Sequence, residues 1–383
     1  MSVFSICKHI NDSRIDRKRV HSADAIVYIA MAAIICGAES WYEVEDFGKA
    51  KIDFFRQRLP DLESIPSHDT FNRFFSLLQP GYFERIFRHW MFEICQKYEG
   101  VVAIDGKIIR GASKCTAKHP TGSPGFKLHM VSAWAVSNGI SLGQLKVEEK
   151  ANEIVAIPLL LEALDLSECI VTIDAMGCQT DIAEKIIEAK ADYILALKRN
   201  QENLFNKVES WFDDLDKKQI DVTKPYYSNR YGKFVTEGNA HGRNEFRECF
   251  VYSCPALTDM LEGWKGVKSV VRILSRRTIK TTGETAVSRR YYITSLGLDP
   301  QKIAESIRSH WAIENNLHWQ LDVSFGEDDT RKTGNAAQNV SLMNKIALMA
   351  IKKNPRKGSI KGKRKAAGWD QEFLCELLEM QYF

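Results

Sequence analysis

Three acidic residues stand where they could hold metal ions. Asp105 ends the apolar run 101–105, Asp174 ends the apolar run 170–174, and Glu314 lies much later in a stretch of helical character. Carboxylate oxygens are the ligands that hard divalent cations prefer. A shared cation would also offset the high cost of burying an ionised acid. Together the three acids predict a divalent metal site.

The third acid occupies the apolar face of a predicted helix. One face carries residues at steps of four, three, four and three, namely Ile307, Trp311, Glu314, His318 and Leu321. This spacing predicts that the Glu314 carboxylate faces the protein. Trp311 and Trp319 are predicted to be core aromatics, although either ring could instead stack on a flipped-out base.

Each acid has an ordinary alternative explanation. A Glu on a partly apolar helix can lie at the rim with its carboxylate in water. An Asp after a strand can form a turn or cap a helix. Rival acids also stand nearby at Asp322, Glu327, Asp328 and Asp329, of which the last three are better explained as a charged loop or as support for the site.

The composition is that of an ordinary globular protein. The chain of 383 residues is long enough for two or three domains, with 44% hydrophobic and 27% charged residues. No apolar run approaches the ~20 residues of a membrane span, and the first residues lack a signal-peptide pattern. These features predict a cytoplasmic protein. The nine cysteines form no Cys-x-x-Cys pair, so the sequence suggests neither a zinc ribbon nor a disulfide framework.

Residues 1–97 are predicted to form an all-helical N-terminal domain. Residues 23–36 are rich in Ala, Ile and Met, and Gly37 is placed to end that helix. A further helix should start after Ser67, with Phe71, Phe74 and Phe75 on its apolar face. Such a helix could enter a DNA groove or simply cover a core, and the sequence leaves both open.

From residue 98 to 199 the pattern changes to strands and helices in the order β-β-β-α-β-α-β. Asn138-Gly139 lies between the apolar runs 126–136 and 140–147 and indicates a hairpin of two strands. A helix is expected to begin near Pro158. This order predicts an α/β fold of the ribonuclease-H-like type, with a mixed five-stranded sheet and flanking helices. Its first and fourth strands lie side by side, so Asp105 and Asp174 should be neighbours although 69 residues separate them.

The stretch 200–298 is too long for a loop. Strand patterns near 246–252, 268–274 and 289–294 predict a β-rich insertion that contains a basic cluster at residues 272–290. Residues 299–350 should return to the sheet with the Glu314 helix. Residues 351–383 form a basic C-terminal tail, and between Arg331 and Trp369 there are eleven Lys or Arg and no acid. That run predicts either a mobile solvated tail or a phosphate-binding arm.

Basic residues beside these elements are candidates for DNA contacts. Lys107 and Arg110 follow the first acid, and Lys198 follows the fifth strand. A predicted strand further on alternates polar side chains on one face, at His241, Arg243, Glu245 and Arg247. Ordinary surface charge or a row of ion pairs would explain these residues equally well.

Long ordered blocks of this sequence resemble the H-repeat-associated, ISAs-type family of bacterial insertion-sequence transposases, which belong to the DDE class. The resemblance covers nearly the whole chain. In the helical part it lies in residues 36–41, 45–48 and 65–71, and afterwards in residues 104–107, 172–179, 241–247, 310–315, 327–329 and 334–337.

The resemblance implies that Asp105, Asp174 and Glu314 are the catalytic acids and hold two Mg²⁺ or Mn²⁺ ions about 4 Å apart, for strand cleavage and strand transfer. The implied partners are double-stranded DNA, as the inverted-repeat ends of the element and as target, and a second copy of the chain in the DNA complex. Neither a membrane nor a nucleotide cofactor is implied.

Many insertion-sequence transposases carry a Tyr, an Arg and a Lys around the third acid to bind phosphate, and this chain lacks them. Arg308, His310 and His318 are the candidates to substitute. Two other functions stay open, namely a metal-dependent nuclease that cuts without joining, and an inactive DNA-binding relic of such an element.

Overall fold

The computed structural model describes residues 2–10, 12, 14, 20–95, 97–113, 128–148, 152–218, 224–240, 242–253, 257, 261–380 and 382. Within them the helices are α1 (Val3–Lys8), α2 (Ala23–Cys36), α3 (Trp41–Ala50), α4 (Ile52–Arg56), α5 (His68–Leu77), α6 (Pro80–Cys95), α7 (Glu153–Glu162), α8 (Thr180–Glu188), α9 (Glu202–Lys217), α10 (Pro225–Ser228), α11 (Pro300–Ile313), α12 (Trp319–Phe325), α13 (Gly334–Lys353), α14 (Ile360–Trp369) and α15 (Gln371–Glu379). The strands are β1 (Val101–Ile109), β2 (Leu128–Ala135), β3 (Ile140–Lys146), β4 (Ile170–Ile173), β5 (Asp192–Leu197), β6 (Tyr231–Ala240), β7 (Arg243–Ser253), β8 (Ser269–Ile279) and β9 (Thr285–Thr294).

The N-terminal part is helical, and two of its helices start and stop as their sequences predict. The Ser22 side chain caps α2 by accepting the Ala25 N–H, and Gly37 ends that helix at a left-handed φ of 115°. Nearly every residue of α2 is buried. The Ser67 side chain caps α5 in the same way, and the Phe71 and Phe75 rings of α5 stack on the Trp41 ring. The apolar face of α5 therefore covers a core.

The first five strands form the predicted mixed sheet. Their order is β3-β2-β1-β4-β5, with β1 antiparallel to β2 and parallel to β4. The predicted hairpin joins β2 to β3, with Gly139 at a φ of 66° in the turn. Residues 126 and 127, which were included in the predicted second strand, lie outside the described residues. This strand order is that of the ribonuclease-H-like fold, which confirms the predicted fold class.

The inserted strands continue the same sheet instead of forming a separate one. Strand β9 pairs antiparallel with β5, and β8, β7 and β6 follow, which gives nine strands in one sheet among the described residues. Strand β6 was not predicted, because its sequence mixes glycines and charges with few apolar residues. The buried Arg272 guanidinium binds Asp216 at 2.6 Å and Glu248 at 3.3 Å, and thereby ties α9 to this part of the sheet.

Helix α7 begins earlier than predicted. The Asn152 side chain accepts the Ile154 N–H at 3.1 Å and sets the start of the helix at Glu153. Pro158 therefore lies inside the helix, and the prediction that it opens the helix was wrong. This shift places Glu153, a residue without a predicted role, in the first turn.

Helix α11 crosses the sheet, and Pro300 stands in its first turn after the cap Asp299. A π-helical turn at Glu314–His318 joins α11 to α12. Helix α13 follows, with fifteen of its 20 residues buried, and packs against α2, α5, α6 and β3. It thus connects the N-terminal helices with the sheet in one hydrophobic core.

The basic C-terminal segment is not a mobile tail between residues 360 and 379. It forms α14 and α15, and the buried Arg364 guanidinium donates to the Ile34 carbonyl at 2.7 Å and to the Ser324 carbonyl. These bonds satisfy carbonyls near the ends of α2 and α12. No single described helix is long and apolar enough to cross a membrane, although α2 and α3, meeting at 96°, pass that length-and-composition test as a pair.

Candidate active site

Strand pairing brings the first two acids together. Ile104 of β1 lies opposite Ile173 of the parallel strand β4. Asp105 directly follows Ile104, and Asp174 directly follows Ile173. Asp174 leaves β4 and caps a short turn, with its Oδ1 accepting the Met176 N–H at 3.0 Å. Both acids line one cleft of about 500 Å³.

The π turn brings the third acid to the same cleft. Glu314 is its first residue, and a buried side chain one turn later, His318, joins Glu314 to Asp105. The His318 Nδ1 atom lies 3.4 Å from Glu314 Oε2 and 3.4 Å from Asp105 Oδ2. π turns inside α-helices are frequent at functional sites. The three predicted acids thus meet, although 140 residues separate the second from the third.

Asp105, Glu314 and His318 form a group whose donor atoms all lie within 4.8 Å of one another. Two carboxylates and an imidazole are suitable ligands for Mg²⁺ or Mn²⁺, with Mn²⁺ accepting the nitrogen more readily. The buried His318 Nε2 atom has no hydrogen-bond partner within the described part of the chain. Asp174 stands outside this group but lines the same cleft. The donor set therefore fits a divalent cation next to Asp105.

The charges in the cleft act on one another. Burial, together with the charges of Asp105 and Glu153, raises the pKa of Asp174. The hydrogen bond from His318 lowers the pKa of Glu314. Burial alone would lower the pKa of His318, but hydrogen bonds to Asp105 and Glu314 outweigh it and raise that pKa. Besides burial, the raised pKa of Asp174 reflects like charges held close together, an arrangement that a bound cation would stabilise.

Comparisons with known proteins agree with this geometry. Residues 97–351 match the family model described as "Transposase DDE domain", and residues 4–91 match "DDE_Tnp_1-associated". The first match spans more than half of the chain. The chain belongs to the DDE transposase family.

Relatives of this transposase chain match over nearly all of its length. It is 39% identical to "Putative transposase YncI" of Escherichia coli O157:H7, covering 99% of this chain and 95% of that protein. It is 35% identical to "H repeat-associated putative transposase YhhI" of E. coli K12, covering 99% and 98%. A solved piggyBac transposase synaptic complex with hairpin DNA aligns with all of this chain and 79% of that chain, at a TM-score of 0.41 and 11% identity, which is too weak a likeness to bear on the function.

In the transposase domain Lys107 does not face the cleft as a free cation. Its ammonium binds Asp322, lies 2.8 Å from Glu327 Oε2 and 3.6 Å from Asp328 Oδ1, and its side chain is only 11% exposed. Three acids already hold the charge of Lys107, which favours a structural role, and its contact with DNA stays a prediction. The same contacts occupy three of the four rival acids, of which Glu327 is buried and Asp322 and Asp328 are partly exposed.

Two histidines that were candidates for DNA contacts face the acids instead. His318 is 4% exposed and bridges Asp105 and Glu314. His310 lines the cleft with its Nδ1 atom 3.0 Å from the Thr172 hydroxyl, and burial lowers its pKa despite the nearby charges of Asp105 and Asp174. The His318 ring is buried, whereas His310 is partly buried at the cleft, and their contacts with DNA stay predictions.

The other basic candidates lie on the surface. Arg110 is exposed and lies 3.5 Å from Asp328, and Lys198 is exposed at the rim of the acidic cleft. Arg243 is exposed on β7, and Arg308 is exposed on α11. Arg247 pairs with Glu245 at 2.9 Å. His241, which was placed in the same row, lies outside the described residues.

A second groove of about 780 Å³ runs between α11 and the strands β6–β9. Four arginines line it, namely Arg247, Arg277, Arg290 and Arg308. It shares Arg290 and Trp311 with the acidic cleft, so the two are continuous. Trp311 is 50% exposed and Trp319 is 53% exposed, so the prediction that both are core aromatics was wrong. Trp311 lies beside the buried face of α11, which carries Ile303, Ser306, Ile307 and Ile313, and its ring lines the groove.

Sequence reasoning missed two residues near the acids, Glu153 and His129. The His129 Nε2 atom lies 2.7 Å from Glu153 Oε1, beside β1. The signal was weak, because the start of α7 was placed after Glu153 and the two residues are far apart in sequence.

Proposed function

We propose that this chain is a DDE-type transposase of a bacterial insertion sequence that cuts and joins DNA strands at the ends of its element. Two Mg²⁺ or Mn²⁺ ions would be held by Asp105, Asp174 and Glu314. The observation that carries the proposal is the meeting of these three acids in one cleft, from two parallel strands and a distant helix.

When bound, the ions would activate the attacking water or DNA 3′-hydroxyl and stabilise the leaving 3′-oxygen. Asp105, Asp174 and Glu314 would hold the ions, because all three line the cleft. His318 holds Asp105 and Glu314 together and limits their movement. Asn200 donates to the Ala175 carbonyl at 2.6 Å and fixes the turn that carries Asp174. Each acid is thus oriented by a neighbouring side chain.

The DNA would approach through the arginine-lined groove. Arg247, Arg290 and Arg308 line a groove that runs into the acidic cleft, and Lys198 stands at the cleft rim. Cations along such a path would bind phosphates and position a strand over the acids. Arg110 and Arg243 are exposed and would add contacts at either side. Because joining two element ends requires two active sites, we propose that a homodimer acts, in the cytoplasm at the nucleoid.

The test uses a plasmid that carries the coding sequence with its native flanking DNA. Purified protein should nick and join that DNA with Mg²⁺ and do neither with EDTA. Asp105→Asn, Asp174→Asn and Glu314→Gln should each abolish cleavage and retain DNA binding. Asp329→Asn is the matched control, because Asp329 is an exposed rival acid, and it should cut normally.

Three results would contradict the proposal. Cleavage without any joined product would identify a nuclease. DNA binding without cleavage by the wild-type protein would identify an inactive relic. Retained cleavage in any one of the three acid variants would remove that residue from the site.

A further inference from the structure

Glu153 is a buried acid beside the catalytic strand that the site described so far does not use. It is the first residue of α7 and is 9% exposed. Its Oε1 atom lies 2.7 Å from the His129 Nε2 atom of β2. Burying an ionised carboxylate costs free energy, and the contact with His129 involves only one of the two Glu153 oxygens.

The carboxylate of Glu153 lies directly against the backbone that follows Asp105. A Cβ at Gly106 would lie 1.9 Å from Glu153 Oε1 and 2.8 Å from His129 Nε2. No side chain can occupy that space while Glu153 stays in place. The glycine after the first catalytic acid therefore exists to admit the Glu153 carboxylate, since Gly106 has an ordinary φ and needs no left-handed conformation.

Glu153 also acts on the second acid. Its charge is one of those that act on Asp174. Glu314 and Asp105 have His318 between them, whereas no described cation pairs with Asp174. Glu153 thus adds a further negative charge near Asp105 and Asp174.

We propose that Glu153 is a fourth acid of the metal centre, whose charge strengthens divalent cation binding on the Asp105–Asp174 side. His129 holds its carboxylate in place, and Gly106 gives it room. This inference rests on the proposed function, because it assumes that the three acids bind cations. Glu153 serves as a positioning and charge-supplying residue.

The test is isothermal titration calorimetry of the full chain with Mn²⁺, without DNA. Glu153→Gln keeps the size of the side chain and an acceptor for His129, but removes the charge. We expect it to weaken Mn²⁺ binding about tenfold, as one unit charge acting on a divalent ion would, with unchanged thermal unfolding of the metal-free protein. Glu162→Gln, at the far end of the same helix, is the matched control and should bind as the wild type does.

Gly106→Ala provides a second variant. Its methyl group would displace the far end of the Glu153 side chain, so we expect the same loss of Mn²⁺ affinity. Adding Gly106→Ala to Glu153→Ala should then cause little further loss, because the displaced carboxylate is already gone.

The outcomes separate this inference from the proposed function. If the wild type binds no Mn²⁺ in a manner that Asp105→Asn removes, the proposed function fails, and this inference with it. If the wild type binds Mn²⁺ and Glu153→Gln binds it equally well, only the role of Glu153 is refuted. Weak binding by Glu153→Ala together with normal binding by Glu153→Gln would also refute it, since packing alone would then matter.

Discussion

Replacing Lys107 with Met distinguishes a structural lysine from a DNA contact. The change removes the cation that holds Glu327, Asp322 and Asp328, and keeps a side chain of similar length. Glu327 is 3% exposed and cannot turn to water, whereas Asp322 and Asp328 are 34% and 24% exposed and can. Breaking a buried ion pair typically costs about 3–5 kcal/mol. Because only Glu327 is fully trapped and Lys345 remains near it, we expect a loss of about 3 kcal/mol in the free energy of unfolding.

Urea denaturation measures this loss, and two further variants make it specific. In Lys107→Met with Glu327→Gln the stranded charge is gone, so the double variant should be more stable than Lys107→Met alone. Lys198→Met removes an exposed lysine at the cleft rim and should change stability by less than about 0.5 kcal/mol. If Lys107→Met kept the wild-type stability and reduced the salt dependence of DNA binding, the structural role of Lys107 would be refuted.

Other predictions follow from single contacts. Burial raises the pKa of Glu84 to about 7, so the folded state binds a proton on Glu84 more tightly than the unfolded state does, and the free energy of unfolding should fall as pH rises from about 4.5 to 7. Urea denaturation at pH 5 and pH 8 should show this decline in the wild type and not in Glu84→Gln. An equal decline in both proteins would contradict the prediction. Asn200→Ala should lower the cleavage rate about tenfold with little effect on DNA affinity, because it removes the hydrogen bond that fixes the turn carrying Asp174. Equal cleavage rates in the variant and the wild type would show that this hydrogen bond is not needed to position Asp174. Arg308→Met should reduce the slope of log affinity against log salt by about one, and an unchanged slope would place the DNA elsewhere.

The sequence predicted the parts of this fold that depend on local pattern. The apolar runs ending at Asp105 and Asp174, the Asn138-Gly139 turn and the Ser67 cap each have a short-range signal, and each formed as expected. Strand order then followed from the sequence of elements, and it brought the first two acids together.

The remaining features depend on packing between distant segments. No local pattern shows that β9 pairs with β5 and continues the sheet. Nor does one show that Lys107 forms salt bridges with acids more than 200 residues away in the sequence. Trp311 lies beside the buried face of α11, whose buried residues are Ile303, Ser306, Ile307 and Ile313, and the four-residue step from Ile307 did not reveal that the ring would be half exposed. The many charges of the C-terminal segment concealed that it packs as helices. The aliphatic parts of Lys363 and Arg364 are buried, and their charged groups donate hydrogen bonds to backbone carbonyls.

The central claim is that Asp105, Asp174 and Glu314 hold divalent cations together. Anomalous X-ray diffraction from crystals of the protein bound to its element-end DNA and Mn²⁺ tests it most directly. We predict two Mn²⁺ peaks in the cleft, one between Asp105 and Glu314 and one between Asp105 and Asp174, each beside a DNA phosphate. Peaks located elsewhere, or carboxylates that face away from every Mn²⁺ ion, would contradict the claim.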